Sequence, residues 1–452
     1  MRGTRWLIAV FTIGLALLAG GIGETAGGFA DSETSFANTL QAWTSTAWVQ
    51  TTQLDFEAGV LNQADTRSSA DNVELARDSH IYAFQGGSAN FWAYGVPGNL
   101  WTWMTGAPNG VGAGGALAYD GLQYVYALRG NNTAAFWRYD TALNSWEVMA
   151  PAPAAVGTGG ALAYDGSGYI YAFRGNNRAT FWRYDTVLNL WEVMAPAPAA
   201  VGGGGALAYD GLQYVYAFRG NNQATFWRYD TDLNSWEVMA PAPVRVGAGG
   251  ALAYDGSTYI YAFRGNNQRA FWRYDTDLNS WEVMAPAPAR VGAGGALACD
   301  GLGHFYGFRG NGTAAFWRYD ALGNSWTVMA NALGNVAGGG ALAFVGASTY
   351  VNMATIASQV RDTGTAGARW DALFWDETLP TDNTDITFEV RASDTLFTAD
   401  ADNATIAWTW VGGTSPVTSG LPSGQYMQWR ATLTTSDITV TPILNEIRVY
   451  HH

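Results

Sequence analysis

One stretch, GGALAYDGLQYVYALRGNNTAAFWRYDTALNSWEVMAPAPAAVG, begins at Gly114 and recurs along the chain with a period of 45 residues. Trp101, Trp146, Trp191, Trp236, Trp281 and Trp326 mark that period without a slip. Phe91, Phe136, Phe181, Phe226, Phe271 and Phe316 do the same, each followed by a tryptophan. A period in the mid-forties with several short β-rich segments per unit points to blades arranged radially around an axis. A helical solenoid is excluded, because no window carries apolar residues at a 3.6-residue spacing.

Each unit reads as four strands: A (GGALAY), B (YVYALR), C (AAFWRY) and D (SWEVM). Asp120–Gly121 supplies a tight turn between A and B, since glycine takes positive φ without steric cost. Between C and D, Asp140 is placed to accept backbone N–H bonds, and Asn144 tolerates a left-handed conformation. The prolines of APAPAAVG keep the D-to-A crossing extended.

Strand counting sets the blade number. B strands start near Ile81, Tyr124, Tyr169, Tyr214, Tyr259 and Phe305. Complete A strands start at Ala116, Ala161, Ala206, Ala251 and Ala296, and a further one, GGGALAF, follows the last D strand at 338–344. The first blade therefore takes its A strand from the far end of the repeat, which closes a six-bladed β-propeller of four-stranded blades over residues 78–345. A seventh blade would require a C–D hairpin from residues 46–58, where only Trp48 and Phe56 fit the pattern.

The unit resembles the kelch repeat. Gly86–Gly87 matches that family's double glycine after strand B, and YDTALNSW its tyrosine–turn–tryptophan run, while later blades depart with Arg129-Gly130-Asn131 and its equivalents. The resemblance implies the propeller fold; propellers of this kind serve as enzymes, ligand platforms and interaction modules alike.

After Gly346 the chain changes to alternating strands bounded by Asp, Thr, Gly and Pro, which reads as a β-sandwich over residues 346–452. Arg361-Asp362-Thr363-Gly364, Trp375, Phe388-Glu389-Val390-Arg391 and Gln428 to Leu433 resemble a jelly-roll-like module of secreted bacterial and archaeal surface proteins. In such proteins a strand like that within Asp55–Ala76 lies just ahead of the module. The all-β chain is accordingly expected to carry its propeller inserted in the sandwich, with residues 53–77 as the first flank. Three modules in series, with a small N-terminal cap, is the alternative.

Residues 1–28 read as a signal peptide or an uncleaved anchor: Arg2 and Arg5, an apolar run from Trp6 to Leu18, then small residues at Ala19, Gly20 and Gly21. Residues 29–52 form a mature N-terminal segment, whose start, FADSETSFANTL, resembles the stretch after the signal in exported filament subunits. Secretion or display at the cell surface is expected, with membrane contact only through an uncleaved N-terminus. A net charge of −14 argues against nucleic acid as a partner.

Chemistry-bearing motifs are scarce. Cys299 is the single cysteine, which excludes an intrachain disulfide and a thiolate zinc site. It stands where other repeats have Tyr119, Tyr164, Tyr209 and Tyr254, and reads as a buried apolar substitute. His80 and His304 fall at B strands of neighbouring blades without a third ligand. No metal, cofactor or catalytic residue is expected. Arg138, Arg183, Arg228 and Arg273 face Glu147, Glu192, Glu237 and Glu282 across the C–D hairpins as structural ion pairs. Arg129, Arg174, Arg219, Arg264 and Arg309 end the B strands, with Gln85 at the matching place in the first blade. Beside Asn131, Asn176, Asn221 and Asn266 they form a candidate rim for a sugar or an acidic glycan; alternatively they bond the carbonyls of the D–A loops and lock blades together. Trp408, Trp410 and Trp429 belong either to core or to a sugar-stacking strip. Asn131-Asn132-Thr133, Asn311-Gly312-Thr313 and Asn403-Ala404-Thr405 fit glycosylation sequons.

The expected function is that of a non-catalytic extracellular scaffold or interaction protein, part of an appendage or matrix, with another copy or another surface protein as partner. A lectin-like polysaccharide-binding protein is the alternative, and an enzyme acting on glycans the third reading.

Overall fold

The computed structural model describes residues 46–52, 55–56, 58–66, 72–347, 349–399, 406–411 and 415–452. The export segment 1–28, the start of the mature segment and the Asn403 sequon lie outside the described residues.

Six four-stranded antiparallel sheets form the propeller. Blade 2 shows the pattern, with A, B, C and D at Ala116–Tyr119, Tyr124–Leu128, Phe136–Asp140 and Ser145–Val148. Asp120 builds the A–B turn as expected: its Oδ1 accepts from the amides of Leu122, Gln123 and Tyr124, each at 2.9 Å. Asp140 does the same in the C–D turn for the amides of Ala142 and Leu143, both at 2.9 Å.

Blade 1 is composite. Its B, C and D strands are His80–Phe84, Phe91–Gly95 and Leu100–Trp103, and its A strand is Ala341–Val345. The closing pair runs antiparallel with Ala341 opposite Phe84, Ala343 opposite Tyr82 and Val345 opposite His80. Backbone pairing between the two ends of the repeat thus shuts the ring.

The periodic tryptophan holds neighbouring blades together, a role its spacing alone does not disclose. Trp146 Nε1 donates to the carbonyl of Thr105 on the preceding blade at 2.8 Å, and its indole stacks on Phe84 with centroids 5.8 Å apart. Beside it Asn144, at φ +50, accepts the Tyr139 hydroxyl at 2.6 Å and the Thr105 amide at 2.8 Å. At the seam the same set recurs: Trp101 Nε1 donates to the Ala330 carbonyl at 2.9 Å, and the Ala330 amide donates to Asn99 Oδ1 at 2.9 Å. Each such bond contributes about 1 kcal/mol. The seam is therefore built like every other junction.

Near the axis the A strands open with a glycine in the left-handed region, such as Gly204 at φ +90. Six backbones converge there, and a methyl group on Gly204 would lie 2.2 Å from the Gly247 carbonyl oxygen of the next repeat. Only glycine allows that approach.

The sandwich-like region consists of two sheets. A three-stranded sheet has the order Thr46–Gln50, Ile443–His451, Trp370–Thr378. The larger sheet runs Val60–Asn62, Met353–Ala357, Tyr426–Thr435, Thr384–Ser393, Thr409–Val411, with Arg361–Asp362 added on Tyr426–Thr435. Phe56, Val73 and Leu75, ahead of the propeller, share one core with Trp375, Phe388 and Trp429 behind it. The propeller is thus an insertion in the sandwich. The first flank starts earlier than the boundary at 53 read from the sequence: Thr46–Gln50 pairs along the whole of its length with Ile443–His451. Its alternation is short, and its partner lies some four hundred residues away, so only tertiary pairing identifies it.

Candidate functional site

The expected ion pairs are in place. Arg138, Arg183, Arg228 and Arg273 lie 2.6–2.7 Å from Glu147, Glu192, Glu237 and Glu282. Each guanidinium also covers a tyrosine of strand B, as Arg228 does Tyr214 at 4.3 Å. With the glutamates 59–60% exposed, each pair contributes about 0.2–1 kcal/mol. They are braces on the blade surface.

The arginines that end the B strands are largely committed to structure. Nε of Arg129, Arg174, Arg219, Arg264 and Arg309 donates to the carbonyls of Gly110, Ala155, Ala200, Arg245 and Arg290, all in the incoming D–A loops, at 2.9–3.3 Å. Gln85 bonds the Asn335 carbonyl in the same way at 2.9 Å. Asn131, Asn176, Asn221 and Asn266 are exposed residues at φ of +52 to +56 in the B–C turns. Asn176 Nδ2 donates to Asn132 Oδ1 at 2.9 Å and Asn266 Nδ2 to Asn222 Oδ1 at 3.1 Å, linking one blade to the next. The rim is thus a hydrogen-bonded collar, and the locking role accounts for its repeated residues. None of these arginines or asparagines lines an axial cavity.

Two cavities lie on the axis, meeting at a ring formed by Leu117, Leu162, Leu207, Leu252, Leu297 and Leu342. Toward the D–A loops the glycine-lined side holds only about 200 Å³. Toward the A–B turns the channel widens into a funnel of about 820 Å³. Its wall carries Tyr119, Tyr164, Tyr209 and Tyr254, with Cys299 and Phe344 at the remaining two positions, and Asp165, Asp210 and Asp300 beside them. The glycines that open each A strand point to a narrow axis, so the sequence does not lead to this funnel; four aromatic residues recurring at one register position are the signal that could have found it.

The funnel has a defined chemistry. Tyr209 and Tyr254 donate their hydroxyls to the carbonyls of Leu212 and Ser257 at 2.7 and 2.6 Å, which fixes the rings. Burial, aided by the Asp165 and Asp210 carboxylates, pushes the Tyr209 phenol up to about 12, so it stays protonated at neutral pH. Asp210 engages turn amides of Leu212, Gln213 and Tyr214 through Oδ1 alone, and Asp165 those of Ser167 and Tyr169. Each leaves a second carboxylate oxygen available as an acceptor. Apolar ring faces and acidic acceptors around one opening suit a ligand rich in both C–H and O–H groups, and disfavour an anion.

The ring is uneven on one side. Tyrosine pairs with Val or Ile across the A–B register in blades 2 to 5, as Tyr209 does with Val215. In blade 6 the pair is Cys299 with Phe305, so the aromatic bulk has moved from the A strand to the B strand. Phe305 packs 4.1 Å from Tyr261, and Gly307 takes the place of the usual alanine, where a methyl would lie 2.8 Å from the Phe263 ring. Cys299 is half-buried, and burial raises its thiol well above the usual range, which disfavours the nucleophilic thiolate. His304 binds Asp300 Oδ2 at 2.9 Å, while His80 bonds the Asp78 carbonyl at 3.1 Å. Among the described residues no group of three His, Cys, Asp or Glu side chains is placed to hold a metal ion, and no helix is long and apolar enough to cross a membrane.

Fold and site together define an all-β protein with a propeller-like ring of six four-stranded sheets carried by a sandwich-like region. No family model and no curated protein matches the chain. Among solved structures it is similar to one described as "Structure of YjhT", at 15% identity and a TM-score of 0.41, over 55% of this chain and 90% of that one.

Proposed function

We propose that the protein is a non-catalytic, exported surface protein that binds neutral polysaccharide in its axial funnel. The single observation that carries this reading is the wall of four tyrosines around the opening of about 820 Å³, interleaved with carboxylates. Sugar rings offer apolar C–H faces to such rings and hydroxyl donors to such acceptors. The jelly-roll-like module read from the sequence supports display outside the cell, as does the N-terminal signal pattern.

A scaffold role is the second reading, and one feature favours it. Val148, Val193, Val238, Val283 and Val328, on the outermost strands, are 68–72% exposed and present the same apolar point around the ring.

Affinity electrophoresis of the full chain through gels containing glucomannan, arabinogalactan or alginate tests the proposal. Retardation is expected in a neutral gel and not in alginate. The double variant Tyr209→Ala, Tyr254→Ala is expected to weaken binding about tenfold or more, because truncated aromatic anchors carry most of a site's energy. Unchanged retardation by that variant, or no retardation of the natural protein in either neutral gel, would overturn the funnel as a glycan site.

A further inference from the structure

Trp408, Trp410 and Trp429 of the sandwich have different fates. Trp429 is fully buried, and its Nε1 donates to Gln50 Oε1 at 2.8 Å, so it is core. Trp410, on the edge strand Thr409–Val411, is 64% exposed. An indole left in water forgoes the gain of burying its large apolar surface, so the question is what it faces.

Its neighbours are polar and fixed. Along Thr384–Ser393, Ile386, Phe388 and Val390 enter the core, so Glu389 points to the opposite face. Trp410 stands directly across from Glu389, and Glu389 from Arg430, which forms one row over three strands. Arg430 Nε donates to Glu389 Oε2 at 2.8 Å, and its Nη2 donates to the same oxygen. The guanidinium lies 4.5 Å from the Trp408 ring, which Arg391 covers as well at 4.3 Å. Arg430 is thereby held by an ion pair and a stacked ring together, and both it and Glu389 remain 27% exposed. No described hydrogen bond uses Glu389 Oε1 or Arg430 Nη1.

We propose that Trp410, Glu389 and Arg430 form a second carbohydrate site. A pyranose ring stacks its C–H face on Trp410, one hydroxyl donates to Glu389 Oε1, and an adjacent hydroxyl accepts from Arg430 Nη1. The pair is neutral overall, so the ligand class is a neutral polysaccharide. The site rests on the glycan-binding reading of the funnel and makes the chain bivalent toward one polymer, which raises avidity without any new contact at the funnel.

The test uses the full chain in glucomannan and arabinogalactan gels, with Trp410→Ala, Trp410→Phe and the double tyrosine variant run side by side. Trp410→Ala is expected to weaken binding about tenfold, as loss of an aromatic anchor does, while Trp410→Phe retains most of it. An exposed side chain is replaced, so thermal unfolding of both variants stays at the natural value and separates binding from folding. Natural retardation by Trp410→Ala, with loss in the tyrosine variant, would overturn the sandwich site and leave the funnel standing. Loss in Trp410→Ala with natural behaviour of the tyrosine variant would overturn the funnel and keep this site. A dimer in sedimentation that Trp410→Ala dissolves, with retardation unchanged, would assign the face to a second copy and overturn the proposal, as would a natural protein that no neutral gel retards.

Discussion

Gly204→Ala is expected to cost about 3–5 kcal/mol, placing it among the exceptional single substitutions. Two independent penalties combine. At φ +90 any L-residue is strained, by about 1–3 kcal/mol. The added methyl would also lie 2.2 Å from the Gly247 carbonyl oxygen and 2.6 Å from its carbon, both backbone atoms that no rotamer change can move. Neighbouring blades meet the same way, with Gly159 against Gly202 at 2.3 Å and Gly249 against Gly292 at 2.2 Å, so the ring has little slack to relieve one contact. Gly256→Ala is the control: it has φ +88 in an A–B turn, with nothing within 4 Å of the added carbon. It should show the backbone strain alone. In thermal unfolding, Gly204→Ala should fall by roughly 5–9 °C, and Gly256→Ala by only a few degrees. Equal losses would mean the axis is looser than described.

Ala343→Pro should be nearly as damaging, by about 3 kcal/mol or more, because it strikes the strand that shuts the ring. Ala343 stands opposite Tyr82 in the closing pair. The equivalent residue in blade 2 is Ala118, opposite Tyr126, two positions from Asp120, whose amide donates to the Tyr124 carbonyl at 3.0 Å. Antiparallel ladders alternate with a period of two, so the Ala343 amide also points at its partner. Proline removes that donor and leaves the Tyr82 carbonyl unpaired in a region where Tyr82 is 6% exposed. Circular dichroism and thermal unfolding should report a destabilised propeller. A variant as stable as the natural protein would show that 341–345 is not an integral strand.

Much of this architecture was legible in the repeat. Asp120, Asp140 and Asn144 announced turns whose hydrogen bonds are those observed, and the arginine–glutamate register followed from hairpin geometry alone. Repetition also gave the sixth A strand, since GGGALAF had no other place in a ring. What stayed hidden depended on contacts between distant segments. The Trp146 indole reaches a carbonyl of the blade before its own, and the strand Thr46–Gln50 finds its partner only in the folded sandwich. The funnel was obscured for a different reason. Glycines at the start of the A strands read as a crowded axis, yet around that axis equivalent positions converge, so repetition itself can build a site. Cys299 illustrates the limit of reading one position at a time. Its meaning appears only with Phe305 across the register and Gly307 two residues further on.

The account depends on the ring being shut by its last strand, and hydrogen–deuterium exchange resolved by peptide tests this most directly. Amides of Ala341–Val345 should exchange as slowly as those of His80–Phe84, their pairing partners, and as slowly as the inner strands of blades 2 to 6. Rapid exchange across 341–345, with protection retained in the other inner strands, would contradict the closure and remove the wall from which the funnel is made.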